Sequence, residues 1–150
     1  MSGRSGYTLT ELAIVLALIG TLTALATPSF LTYYQASRLR VGAEEVAALI
    51  NQGRQLGIRQ NVGTCVHITS TAVQYRLGTS CDAAAWLGPG TDASGNLAIP
   101  SGITLAASAD PIFNYLGASN RGGTITVTNT QNGSAVHVTV AVSGRVTIGP

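Results

Sequence analysis

Glu11 is the first residue whose chemistry needs an explanation. It is the single charge between Tyr7 and Thr27, in a stretch that is otherwise apolar or weakly polar. A carboxylate within hydrocarbon costs roughly 2.5–3.5 kcal/mol on insertion scales. It is tolerable there when a cation pairs with it. Cys65 and Cys81 are the only two cysteines, and two outcomes stay open for them. In an exported domain they can form one disulfide; otherwise they are two unrelated buried thiols. A bridge would close a loop of about 17 residues, for roughly 3 kcal/mol in the chain-entropy model. His67 and His137 stand alone, without metal-ligand spacing, and read as strand-face residues. Trp86 reads as a core anchor or loop clasp. Arg145 reads as a residue that orders a terminal turn. No nucleophile–base arrangement, phosphate-binding loop or dinucleotide fingerprint is present. A non-enzyme is therefore expected, with no cofactor and no metal.

These residues must be positioned by elements, and the chain is long enough for one modest domain. It has 150 residues, 9% of them charged, and a net charge of +2. So small a charge does not by itself argue for nucleic acid. Residues 7–27 are long enough for a helix that crosses a bilayer core. Pro28 follows and should bend the axis. From Ser29 to Arg59 apolar residues recur at steps of three and four: Leu39, Ala43, Val46, Leu49, Ile50, Gly53 and Leu56. Arg38, Arg40, Glu44, Glu45, Arg54 and Arg59 are expected on the solvent side. Gly42, Gly53 and Gly57 weaken this helix, and Asn61 and Gly63 should stop it. The period then changes to two. Thr64–Thr69 and Ala72–Leu77 read as a hairpin. Ile103–Leu105, Ile112–Leu116, the Ile125–Val127 segment, Val136–Val142 and Val146–Ile148 read as further strands. Asp92–Asn96 reads as a polar loop. The expected architecture is α+β, with the second half of one long helix packed on an antiparallel sheet.

Three readings of the N-terminus compete. A secretory signal peptide would use Arg4 as its charged region, Leu12–Leu22 as its apolar core and Ala24-Leu25-Ala26 as its cleavage site. A plain membrane anchor is the second. Both leave Glu11 unexplained. The third rests on Gly6-Tyr7-Thr8-Leu9-Thr10-Glu11-Leu12, which resembles the type IV prepilin processing site. The resemblance implies a short leader, 1–6, and cleavage by a prepilin peptidase between Gly6 and Tyr7. It implies N-methylation of Tyr7 and a role for Glu11 in filament assembly. The new α-amino group of one subunit would meet the Glu11 carboxylate of its neighbour. Tyr7 stands where the family usually has Phe, and Thr10 where it has Ile or Leu.

The second half carries its own resemblance. Cys65, Cys81, Trp86, Gly88 and the ending Ser143-Gly144-Arg145-Val146 are similar to the GspH/FimT family of minor pilins and minor pseudopilins. What this implies is a pilin-like fold with four parts. They are a leader (1–6), a transmembrane and filament-core helix (7–27), an amphipathic helix half (28–60) and a β-rich periplasmic domain (61–150). The implied partners are the prepilin peptidase, other minor and major pilins or pseudopilins, and inner-membrane lipid. The implied role is a subunit that initiates or caps a type IV pilus or a type II secretion pseudopilus. Two alternatives stand beside it. One is a DNA-binding minor pilin of an uptake pilus; some members of the family bind DNA through a Gly-Arg-x-Arg pattern. Here Gly144-Arg145-Val146-Thr147 keeps the first arginine and lacks the second, so the resemblance implies a weak phosphate site at Arg145, to which Arg121 adds a second charge if the fold brings it close. The other is the major filament subunit.

Overall fold

The computed structural model describes residues 7–149, and for 26–29 the backbone alone. Helix α1 spans Leu9–Gln60, 52 residues. The chain divides into two compact units between Gln35 and Ala36. In the first unit the large apolar side chains of α1, from Leu9 and Leu12 through Leu22 and Leu25 to Phe30 and Leu31, are exposed. Among the described residues no single helix is long and apolar enough to cross a membrane. Leu9–Leu25 and Phe30–Gln60 meet the length and composition requirement only as a pair.

In the second unit, α1 buries the stripe that its periodicity marks. Leu39, Ala43, Val46, Ile50 and Leu56 are each at most 5% exposed. Gly53 and Gly57 do not end the helix. Their missing side chains let a sheet approach, because a Cβ on Gly53 would lie 2.7 Å from Val66 and 2.9 Å from the Tyr75 ring. A Cβ on Gly57 would lie 2.6 Å from the Thr64 hydroxyl oxygen. The helix stops at Asn61, whose φ of 52° is left-handed. Asn tolerates that conformation better than most residues, and it is a common way to end a helix.

Nine strands follow: β1 Thr64–Ile68, β2 Ala72–Leu77, β3 Asn96–Ala98, β4 Ile103–Ala107, β5 Ile112–Phe113, β6 Ser119–Arg121, β7 Gly123–Asn129, β8 Ala135–Val140 and β9 Val146–Gly149. They form two antiparallel sheets where one was expected. The first has the order β3-β2-β1-β5-β6 and the second β4-β7-β8-β9. Alternation is clear in the second sheet. Ile125, Val127, Val138 and Val140 point inward and are at most 3% exposed, and in register Ile125 faces Val138 and Val127 faces Val136. One core joins both sheets to the helix, from Leu39 and Ile50 to Phe113, Tyr75, Ile103 and Val138.

Three local expectations are corrected. The strand expected over Ile112–Leu116 ends at Phe113, because the Asn114 side-chain carbonyl accepts the amides of Leu116 and Ala118 (both 3.0 Å) and turns the chain. The strand expected to reach Val142 ends at Val140, where Ala141 and Arg145 close a turn through Ala141 N–H to Arg145 O at 2.9 Å. Arg38 and Arg54 are half-buried, not solvent-facing. Their guanidiniums reach across to loops: Arg38 donates to Ser101 O at 2.8 Å and Arg54 to Gly144 O at 3.3 Å.

Candidate functional site

The start of α1 is organised by Thr8 and Glu11. The Thr8 amide and hydroxyl each donate to Glu11 Oε2 at 2.9 Å. The Glu11 amide donates back to the Thr8 hydroxyl oxygen at 3.2 Å. This is a reciprocal capping box, which satisfies amide groups that an α-helix leaves open at its N-terminus. The Thr-x-x-Glu spacing of Thr8 and Glu11 is the signal of this cap in the sequence. The cap occupies Oε2; Oε1 has no partner among the described residues. The carboxylate is thus oriented at the helix mouth with one oxygen available to a cation. Tyr7 beside it is 91% exposed. Gly6 and the leader 1–6 lie outside the described residues.

Cys65 and Cys81 are joined in a disulfide with Cα atoms 5.3 Å apart. Cys65 is in β1 and fully buried, and Cys81 is in the turn after β2. Arg76 ties that turn down by donating to Cys81 O at 2.7 Å and to Gln74 Oε1 at 3.0 Å. A carboxylate oxygen of Asp110 lies within 4.8 Å of both sulfurs. The bridge leaves no thiolate there, and metal ligation by Cys requires one. Asp110 instead holds β1: Oδ1 accepts the Ile68 amide at 2.9 Å and Oδ2 meets His67 Nδ1 at 2.7 Å. No local pattern marks this pair, because Asp110 is 43 residues from His67. His137 contacts the Thr126 hydroxyl on the neighbouring strand at 3.2 Å.

Trp86 clasps the loop after the disulfide. Its amide donates to Tyr75 O at 2.7 Å, and its ring centroid is 6.2 Å from that of Tyr75. The ring lies over Gly88, where any Cβ would collide with it. The Tyr75 hydroxyl is buried and donates to Leu49 O at 2.7 Å. Burial pushes its pKa well above the usual phenol range, so the ring stays neutral beside the helix. The polar loop after Trp86 folds around Asp92. Its Oδ1 accepts the amides of Ser94 and Asn96 (both 2.8 Å), and its Oδ2 accepts Asn96 Nδ2 at 2.9 Å. The Asn96 side chain, then the Asn96 amide, hold the Asp92 carboxyl below its ordinary pKa.

Strand β6, which carries Arg121, is hydrogen-bonded to the turn that carries Arg145. Arg145 lies in the turn 141–145 and Arg121 at the end of β6, both exposed. Ser119 N–H donates to Val142 O at 3.0 Å, which joins β6 of the first sheet to the turn of the second. Gly144 and Gly117, with φ of 80° and 85°, pack backbone to backbone, so a Cβ on Gly144 would strike the Gly117 carbonyl. The Arg54 guanidinium is packed against Gly117, and its buried Nε has no hydrogen-bond partner among the described residues. Arg54 was read as a solvent-side residue and is in fact the support for this end of the domain. Tyr115, Leu116 and Val142 project from it, exposed.

No family model and no curated protein matches the sequence. Solved structures do match. The type IV minor pilin FimU of Pseudomonas aeruginosa superposes with a TM-score of 0.53 at 13% identity, over 79% of this chain and 92% of that one. The minor pseudopilin EpsH from the type 2 secretion system of Vibrio cholerae superposes with a TM-score of 0.55 at 10% identity, over 74% of this chain and 95% of that one. At these identities the likeness establishes architecture. The chain has the fold of minor pilins and minor pseudopilins: a long N-terminal helix whose second part packs on antiparallel sheets.

Proposed function

We propose that this chain is a minor pilin or minor pseudopilin, a structural subunit that initiates or caps a type IV pilus or a type II secretion pseudopilus. A prepilin peptidase cleaves between Gly6 and Tyr7, Tyr7 is N-methylated, and residues 7–27 hold the subunit in the inner membrane with its sheets in the periplasm. Assembly then draws the apolar part of α1 into a filament core shared with other pilins or pseudopilins. The observation that carries the reading is Glu11. It is a single acid at the mouth of an exposed apolar helix, held by Thr8 through one oxygen, and the other has no partner among the described residues. Cleavage after Gly6 creates an α-amine at Tyr7, and the amine of a neighbouring subunit is the cation that an acid in apolar surroundings needs. Intact-mass analysis of the protein from cells with and without the peptidase tests this. The reading requires loss of Met1–Gly6 and gain of one methyl group only when the peptidase is present. Cleavage near Ala26 would show a signal peptide instead.

A second reading, DNA capture, draws on the exposure of Arg121 and Arg145 on segments that are hydrogen-bonded to each other, with Tyr115 exposed as well. Segments 114–122 and 141–149 contain no acidic residue of their own. A gel shift at low salt, full chain against the Arg121→Ala, Arg145→Ala variant, separates the two. Under the first reading neither protein retards DNA.

A further inference from the structure

The aromatic residues of α1 are distributed in a way that the filament reading does not use. The chain has eight aromatic residues, counting one Trp, five Tyr and two Phe. Four of them, Tyr75, Trp86, Phe113 and Tyr115, belong to the sheet domain. The other four are Tyr7, Phe30, Tyr33 and Tyr34, and none stands between Thr8 and Ser29. Phe30, Tyr33 and Tyr34 are spaced i, i+3, i+4, which puts them on one face of a helix. Phe30 and Tyr34 stack with centroids 6.5 Å apart. Unlike Tyr75 and Phe113, which are at most 1% exposed, Phe30, Tyr33 and Tyr34 are 66%, 74% and 50% exposed. Three large rings side by side on a helix surface mark a surface that something covers.

We propose that Phe30, Tyr33 and Tyr34 form an aromatic collar that seats the helix in the outer headgroup layer of the membrane, with Tyr7 at the opposite layer. This rests on the reading of residues 7–27 as an anchor and sharpens where that anchor ends. The spacing favours lipid over protein as the occupant. At 1.5 Å per residue the path from Tyr7 to Phe30 is about 34 Å. A hydrocarbon core is about 30 Å thick, and about 40–45 Å with its interfacial layers. Rings at both ends of such a span, and none within it, is the pattern of interfacial aromatic belts. Tyr suits that layer because its ring is apolar and its hydroxyl can meet water and headgroups. No charged residue occurs from Leu12 to Ser37, so the collar falls within the uncharged run and not beyond it. The proposal extends the membrane-embedded length past Thr27 to the level of Tyr34. The proline at 28 would then lie inside the lipid-facing segment, at its outer edge.

The test uses the full chain in phosphatidylcholine vesicles whose lipids carry bromine either near the headgroup or near the chain end. Trp86→Phe removes the native tryptophan, and single tryptophans are placed by Leu18→Trp, Phe30→Trp or Tyr33→Trp. These keep large side chains at each position, so folding is not at stake. The expected result is stronger quenching of the position-18 tryptophan by chain-end bromine, and of those at 30 and 33 by headgroup-level bromine. If position 18 is quenched while 30 and 33 are unaffected by either lipid, the span ends before the collar and the proposal falls. Stronger chain-end quenching at 30 and 33 would also overturn it, by putting the rings in the hydrocarbon. If position 18 is not quenched either, the anchor reading itself fails, and the collar with it.

Discussion

Single residues in this chain are set by close approach and by local hydrogen bonds. Gly53 shows how magnitudes decide a substitution. Alanine there would gain up to about 1 kcal/mol in helix propensity. Its Cβ, however, would sit 2.7 Å from Val66 and 2.9 Å from Tyr75, both fixed in the core. Overpacking typically costs 1–3 kcal/mol, so Gly53→Ala is expected to be destabilising, by about 1 kcal/mol, and to lower the midpoint of thermal unfolding. Gly20→Ala, with nothing within 4 Å, is the matched control and should not lower it. Asp92 gives a pH dependence. Its carboxyl is held below the ordinary value, so the folded loop prefers the charged form. The stabilisation is therefore complete above the unfolded pKa of about 4 and is lost as pH falls through the lower folded value. The Ser94 and Asn96 amide resonances should titrate in that acid window, and Asp92→Asn should remove the titration. Glu11 was legible in the sequence as an acid that needs a partner. What was missed is that Thr8 already supplies part of the answer, through the Thr-x-x-Glu cap.

At the scale of elements, legibility follows from how far apart the interacting residues are. The second part of α1 could be read because its buried residues recur at steps of three and four, and hairpin β1–β2 because its two segments are close in sequence and pair across a short turn. Strands β3 and β6 could not. Asn96–Ala98 and Ser119–Arg121 are three-residue segments without apolar alternation, and they become strands only by pairing with β2 and β5. The split into two sheets was hidden for a related reason. A period of two says which side chains point inward, but not that β1 pairs with β5 while β4 pairs with β7. The disulfide operates at this scale as well, since it holds the turn after β2 against buried β1. Its ring spans a sequence separation of 16, which the chain-entropy model equates to about 3 kcal/mol. The Cys65→Ser, Cys81→Ser variant is expected to lose about that much in urea unfolding followed by Trp86 fluorescence, as is the reduced wild type. Equal midpoints for oxidised and reduced protein would remove the disulfide from the list of what stabilises the domain.

For the molecule as a whole, two units with opposite surface character share one chain. Residues from Ala36 onward close a core between α1 and two sheets. The described part before it keeps its large apolar side chains exposed. An exposed apolar surface of this size marks something that covers it; on the proposed reading a bilayer does so before assembly and neighbouring helices after. On that account Glu11 caps α1 while the subunit stands alone and becomes decisive for assembly when subunits stack, because its second carboxylate oxygen then meets a neighbour's terminal amine in apolar surroundings. The most direct measurement compares wild type with Glu11→Ala in cells that make the filament, by immunoblot of sheared filaments and of membranes. The prediction is that the variant is processed and retained in the membrane at wild-type level but is depleted from filaments by at least about tenfold, the effect of roughly 1.4 kcal/mol. Entry of Glu11→Ala into filaments in wild-type amounts would contradict the account.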